Sequence, residues 1–393
     1  MKWNPGNIAL LAEEFSESYH PDGIEDIPYI GLEHVEAQSL KLLNIGSSLD
    51  VQSGKQKFKE GDILFGTMRP YFRKVIKASF DGVCSTEFSV IRPKRVQDMA
   101  YVFYHIAQER FIEFATTNSK GDRPRTKWEL FSKFPARIPP AEIRERIGSV
   151  LSAYDDLIEN NLRRIKLLEE STRQLYKEWF VRLHFPGYEH TKLIEGVPEG
   201  WERKTLSEAS ESVNYGYTES AQTEEVGPKY LRITDIVPSF IDWSTVPYCP
   251  ITERKKEKFS LREGDIVVAR TGATVGYAKR LNKRHPEAVF ASYLVRFRLS
   301  PKVSSIFIGT FIESDDYKAY VKSRIGGAAQ PNANAKVLGD VKILIPSHQL
   351  QKEFDEIVSK LIDQKEILQI QNQKLKQTRD LLLPKLMSGE VEV

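Results

Sequence analysis

Arginine set among glycine, threonine and alanine is suited to nucleic-acid chemistry. A guanidinium can pair with guanine O6 and N7, and backbone free of bulky side chains can approach a phosphate. The run ARTGATVGYAKR (269–280) has this composition, with Arg270, Thr271, Lys279 and Arg280 as donors and Gly272 and Gly276 as turn formers. It lies in a basic stretch, residues 251–284, that holds ten Lys/Arg against four Asp/Glu. Earlier in the chain TMRPYFRK (67–74) carries Arg69, Arg73 and Lys74, and KGDRPRTK (120–127) carries Arg123 and Arg125. GGAAQPNANAK (326–336) offers Gln330 and Asn332, amide types that can bond to adenine N6 and N7. Concentrated positive charge is what a phosphate backbone attracts, so the basic stretch points to nucleic-acid contact. For any single basic residue, solvated surface is the plainer reading.

Catalytic signatures are missing from the sequence. No GxxxxGK[ST] loop is present, and GATVG (272–276) lacks the lysine such a loop needs. NPPY and NPPF, which an amino-methyltransferase would need, are absent, and the seven histidines show no HExxH or paired spacing. EGDI occurs at 60–63 and again at 263–266. Its Asp62 and Asp265 read as turn carboxylates before a buried strand rather than as catalytic acids. The expectation is a non-enzymatic reader that binds no metal or cofactor of its own.

The repeated EGDI belongs to a larger repeat. Trp3 matches Trp201 at an offset of 198, YIGLEHV (29–35) matches YLRITDI (230–236) at 201, and EGDI matches EGDI at 203. Ser85 matches Ser292, Pro124 matches Pro331, and Ile138-Pro139 matches Ile345-Pro346, all at 207. The order is collinear and the offset drifts smoothly, as in a duplicated unit with a few small insertions.

Each copy ends in a segment rich in Glu, Lys, Gln, Arg and Leu, strong helix formers, placed after an Ile-Pro. Ile147, Leu151, Tyr154, Ile158, Leu168 and Leu175 recur at alternating four- and three-residue steps or their multiples, and Leu361, Leu368, Leu375 and Leu382 lie seven apart. This is a coiled-coil seam interrupted by polar Asn161, Lys365, Asn372 and Arg379. Two helices of about 40 residues would each run about 60 Å. The boundaries expected are a first α+β domain at 1–138, a helix at 139–183, a linker at 184–200, a second α+β domain at 201–346 and a second helix at 347–393. Two cysteines in different halves exclude a disulfide framework, and the N-terminus MKWNPGNIALLAEEFSE lacks the form of a signal peptide. No apolar run is long enough to cross a bilayer, so a cytoplasmic protein without membrane contact is expected.

The helical stretch IPPAEIRERIGSVLSAYDDLIENNLRRIKLLEESTRQLYKEWF (138–180), HFPG (184–187), VPEGWE (197–202), EGDILF, RPYFRKV, CSTEFSVIRP, EGDIVVARTGATVG and IGGAAQPNANAK together resemble the specificity subunits of type I restriction-modification enzymes. The resemblance covers essentially the whole chain. It implies two target recognition domains joined by two helices in an antiparallel coiled coil with pseudo-twofold symmetry. Each domain would read half of a split site in double-stranded DNA. The helices would space the halves and dock two methyltransferase subunits and, where present, two motor-nuclease subunits. S-adenosylmethionine, ATP and Mg2+ would sit on those partners. A coiled-coil adaptor without DNA binding is the alternative, and it would show no salt-dependent affinity for DNA.

Overall fold

The computed structural model describes residues 3–325 and 331–393. The chain forms two units, residues 1–160 with 371–393, and residues 161–370. Both long helices, Ala141–Tyr176 and His348–Ser388, therefore contribute to each unit.

Each unit is built on one four-stranded antiparallel sheet. In the first, the order is Ala12–Phe15, Phe88–Pro93, Ile63–Gly66, Val75–Lys77. In the second it is Ser210–Tyr215, Leu294–Leu299, Ile266–Ala269, Ala278–Arg280. Every residue of Ile63–Gly66 and of Ile266–Ala269 is buried, which explains why both read as unbroken apolar runs. A parallel pair accompanies each sheet: Pro28–Ile30 with Gly82–Cys84, and Lys229–Leu231 with Ala288–Phe290. An antiparallel pair leads each unit into its helix, Asn4–Asn7 with Pro135–Ile138 and Glu202–Thr205 with Lys342–Ile345.

The strand registers correct one expected match. Phe88–Pro93 corresponds to Leu294–Leu299, and the bond from Phe88 N to Ser85 O recurs as Leu294 N to Ala291 O. Ser85 therefore stands opposite Ala291, one residue before Ser292; identity of side chain misled where the hydrogen-bond ladder decides.

The EGDI turns are structural. Gly61 and Gly264 sit at φ +88° and +85°, which only glycine adopts without strain. Asp62 accepts from Lys59 N at 2.8 Å and is held by the Arg92 guanidinium at 2.8 and 2.7 Å. Asp265 accepts from Arg262 N at 2.9 Å and is held by Arg298 at 2.8 Å through both nitrogens. Both carboxylates are buried and fully engaged, one turn and one strand stapled by a bidentate pair.

Just before these turns the copies diverge. Lys55–Phe58 is a strand in a five-stranded sheet, whereas Glu253–Phe259 is a helix. ERKKEKF lacks β-branched residues, and Lys256 and Lys258 complement the helix C-terminus.

Within each unit the long helices run antiparallel. In the first, Asn372 Nδ2 donates to Ile158 O at 3.4 Å, and Arg379 pairs with Asp155 three residues earlier on the other helix. In the second, Lys365 lies 3.5 Å from Glu169, and Phe354 packs on Tyr176, Trp179 and Phe180. A single π turn, Lys177–Val181, closes the first helix and carries Trp179 and Phe180 into the core. Ile147, Leu151 and Leu368 are fully buried, while Tyr154, Ile158, Leu168, Leu175, Leu361, Leu375 and Leu382 are half-buried. Near the end of the second helix the deepest side chains are Leu383, Leu386 and Met387, because there the helix faces the first unit's core as well as its partner helix.

Candidate nucleic-acid interface

The strand after each EGDI ends in a loop that crosses a second loop, and the crossing is built identically twice. In the first unit, Arg69 N donates to Pro124 O at 2.7 Å, Thr126 N donates to Thr67 O at 3.1 Å, and Met68 bridges to Arg125. In the second, Gly272 N donates to Pro331 O at 2.9 Å, Ala333 N donates to Arg270 O at 2.8 Å, and Thr271 bridges to Asn332. Backbone bonds hold the crossing, so its side chains are free to differ.

They differ in kind. The first crossing gathers Arg69, Arg123 and Arg125; Arg123 and Arg125 are exposed, and Arg125 reaches Glu87 at 2.8 Å. The second gathers Arg270, Thr271 and exposed Asn332, with Arg270 3.4 Å from the Asn332 Oδ1 and 5.0 Å over the Tyr215 ring. Arg270 Nε is buried without a partner among the described residues. Tyr215 and Tyr293 flank this crossing and are both exposed.

Other expected contacts are turned inward. Arg73 Nε donates to Ala107 O at 2.7 Å, and burial lowers its pKa. Lys74 Nζ donates to Leu32 O at 2.5 Å, and Lys279 Nζ donates to Ser239 O at 2.9 Å. Arg280 packs along Gly309, with its backbone N–H on Glu313 at 2.8 Å. Each of these four side chains thus has a contact within the protein. Gln330 lies outside the described residues.

The basic stretch 251–284 is not one patch. Lys256 pairs with Glu253 and Glu287, Lys283 with Asp363, and Arg284 approaches Glu366 at 3.7 Å. Charges adjacent in sequence are thus dealt to a helix, a loop crossing and the edge facing the long helices. Sequence reading also passed over the aromatic side chains at the crossings: Tyr71 and Phe72 in TMRPYFRK, and Tyr215 and Tyr293, all substantially exposed. The signal was present, since TMRPYFRK was singled out for its basic residues alone.

The turn inside each first loop needs left-handed backbone at two positions. Gly272 and Gly276 supply it at φ +77° and +86°; Arg69 and Arg73 occupy the matching places at φ +51° and +49°. For a residue with a Cβ this conformation costs roughly 1 kcal/mol or more.

One frame built twice, with the same backbone crossing and unlike polar side chains on it, defines a duplicated α+β module. The family model for the type I restriction modification DNA specificity domain matches residues 15–170 and 198–377, and the chain belongs to this family. The chain is 24% identical to the type I restriction enzyme MjaVIII specificity subunit of Methanocaldococcus jannaschii, over 79% of this chain and 74% of that one. It is 21% identical to the HindI specificity subunit of Haemophilus influenzae, over 99% of both. The crystal structure of a type I restriction-modification system S subunit from M. genitalium superposes with a TM-score of 0.60 at 16% identity, covering 98% of this chain and 96% of that one, a likeness of fold. No helix among the described residues is long and apolar enough to cross a membrane.

Proposed function

We propose that the chain is the non-catalytic, DNA-reading subunit of a type I restriction-modification complex, and that each unit reads one half of a split site in double-stranded DNA. The observation that carries this is the loop crossing: equal backbone bonds presenting Arg69, Arg123 and Arg125 in one unit and Arg270, Thr271 and Asn332 in the other. Equal frames with unequal base-reading side chains suit two different half-sites. The two long helices pair as an antiparallel coiled coil whose polar seam residues fix its register, and they dock two methyltransferase subunits and, where the system has them, two motor-nuclease subunits. S-adenosylmethionine, ATP and Mg2+ belong to those partners, and the complex works in the cytoplasm. The test is a genome-wide map of methylated adenines with and without the gene for this chain. Loss of methylation at one split motif is expected. A map unchanged by the disruption, in cells that express the chain, overturns the reading.

A further inference from the structure

The strained turn of the first unit holds up two aromatic rings. Among the described residues six non-glycine residues have positive φ, and four of them, Gln38, Leu40, Arg69 and Arg73, lie in two loops that touch. Gln38 N donates to Phe72 O at 3.0 Å, and Gln38 Nε2 donates to Tyr71 O at 2.6 Å. Arg69 is tied by its N–H to Pro124, and Arg73 by its side chain to Ala107. The single turn Pro70–Phe72 between them is therefore gripped at both ends and in the middle. What it displays is Tyr71 and Phe72, 43% and 39% exposed, with ring centroids 4.8 Å apart.

Exposed aromatic pairs on a rigid turn ask for a partner with flat faces. The charge nearby says which: Arg69, Arg123 and Arg125 stand at the adjoining crossing, with Glu87 paired to Arg125. The second unit sets the contrast. At the matching positions stand Thr274 and Val275, the valine 2% exposed, between two unstrained glycines. Left-handed arginines around displayed rings, where glycines around a buried valine make the same turn, mark the rings as what the first turn presents. Strain of this kind concentrates where structure serves binding.

We propose that Tyr71 and Phe72 form an aromatic wedge that stacks on, and partly unstacks, a base step of the DNA held by the first unit. The matching turn of the second unit carries Thr274 and Val275 and no ring, and its exposed Tyr215 and Tyr293 stand beside the crossing, not on the strained turn, so distortion by this turn falls on one half-site only. This rests on the DNA-reading function proposed above. Apolar side chains inserted at a base step kink duplexes in this way, and every base offers a face to stack on.

The experiment uses the full chain and a duplex bearing the motif lost from the methylation map, with 2-aminopurine placed in turn at each position of both half-sites and their flanks. The wild-type chain is expected to raise fluorescence at one step, in one half-site. In the double variant Tyr71→Ala/Phe72→Ala the rise disappears and affinity falls about tenfold or more. The exchange Tyr71→Phe/Phe72→Tyr keeps both, and Thr274→Ala in the second unit changes neither. Both rings are exposed, so the melting curve of the double variant should match wild type; the wild-type fluorescence scan stands whatever the variant does. Salt-dependent binding of the motif with no fluorescence rise, or with affinity untouched in the double variant, overturns the wedge and leaves the DNA reading intact. Loss of methyltransferase association with DNA affinity unchanged also overturns it, by assigning the rings to a protein partner. A wild-type chain with no salt-dependent affinity for DNA overturns both.

Discussion

Asp98 and Arg144 in the first unit stand where Ser304 and Gln351 stand in the second. The first pair is ionic: Arg144 Nε and Nη2 bind the two Asp98 oxygens at 2.8 and 2.9 Å, and Nη1 donates to Pro139 O at 2.8 Å. The second is neutral: Ser304 N donates to Gln351 Oε1 at 2.7 Å, and Gln351 Nε2 donates to Pro346 O at 2.9 Å. Each clasp ties the start of a short helix to the start of a long one, with Asp98, Arg144 and Gln351 buried and Ser304 half-buried. Local surroundings differ to match. Gly148 lies so close to Ala100 that a Cβ would sit 2.9 Å from it, whereas its counterpart Asp355 accepts from the Ser304 hydroxyl at 2.6 Å. The lesson is that a fold specifies the bonds its joints require and leaves open whether ions or amides make them.

The two solutions fail differently, and this gives the largest expected effect. Arg144→Ala leaves the buried Asp98 carboxylate with only the exposed Arg95, 4.0 Å away, and should cost about 3–5 kcal/mol. Gln351→Ala leaves only neutral groups unbonded and should cost about 1–3 kcal/mol. Urea unfolding of the full chain, with hydrogen exchange to assign the loss to a unit, measures both. Equal losses would break the distinction between an ionic and a neutral clasp.

A second contrast predicts different responses to acid. His105 is buried, neither ring nitrogen has a partner among the described residues, and Tyr101, Phe111 and Phe134 surround the ring. Burial pushes its pKa down to about 4. Its counterpart, Phe311, cannot titrate. Between about pH 6.5 and pH 4 the unfolded first unit binds a proton that the folded unit refuses, so stability falls as pH falls through this window. The full effect is about 3 kcal/mol, reached near the bottom of the window. His105→Leu, apolar like Phe311 and smaller, should remove this slope from the first unit and leave the second unchanged. Unit-resolved hydrogen exchange at about pH 7 and about pH 5 checks it; an unaltered slope in the variant would place the acid sensitivity elsewhere.

What was legible in the sequence follows the same division between frame and filling. Collinear offsets revealed the duplication because turn residues such as Gly61 and Gly264 and apolar strands such as Ile63–Gly66 serve needs of backbone and burial that both copies share. Helical period was legible too, although Leu375 and Leu382 are only half-buried where Leu383 and Leu386 go deepest, since a seam pattern describes one contact surface and these residues meet two. Linear charge misled: Lys283 and Arg284 are neighbours of Arg270 in the basic stretch but reach Asp363 and Glu366 on the long helix. The inward turn of Arg73 and Lys74 toward the carbonyls of Ala107 and Leu32 depends on partners more than 30 residues away, which no local pattern contains. Nor does an arginine announce left-handed backbone as a glycine does.

That last point yields the smallest and most selective prediction. If Arg69 stays in a left-handed turn for what its side chain and its neighbours Tyr71 and Phe72 contact, Arg69→Gly should stabilise the first unit by about 1 kcal/mol and weaken DNA binding at once. Arg73→Gly relieves the same strain but gives up the bond to Ala107 O, so its stability should change little. The reverse exchange, Gly272→Arg, meets no described neighbour within 4 Å of the added Cβ, so strain should lower stability by about 1 kcal/mol. Thermal melts of the three variants, read beside DNA affinity, separate backbone cost from side-chain use. If Arg69→Gly gains stability and keeps full affinity, the strain serves nothing at that position, and the contrast between the two turns is one of history and not of function.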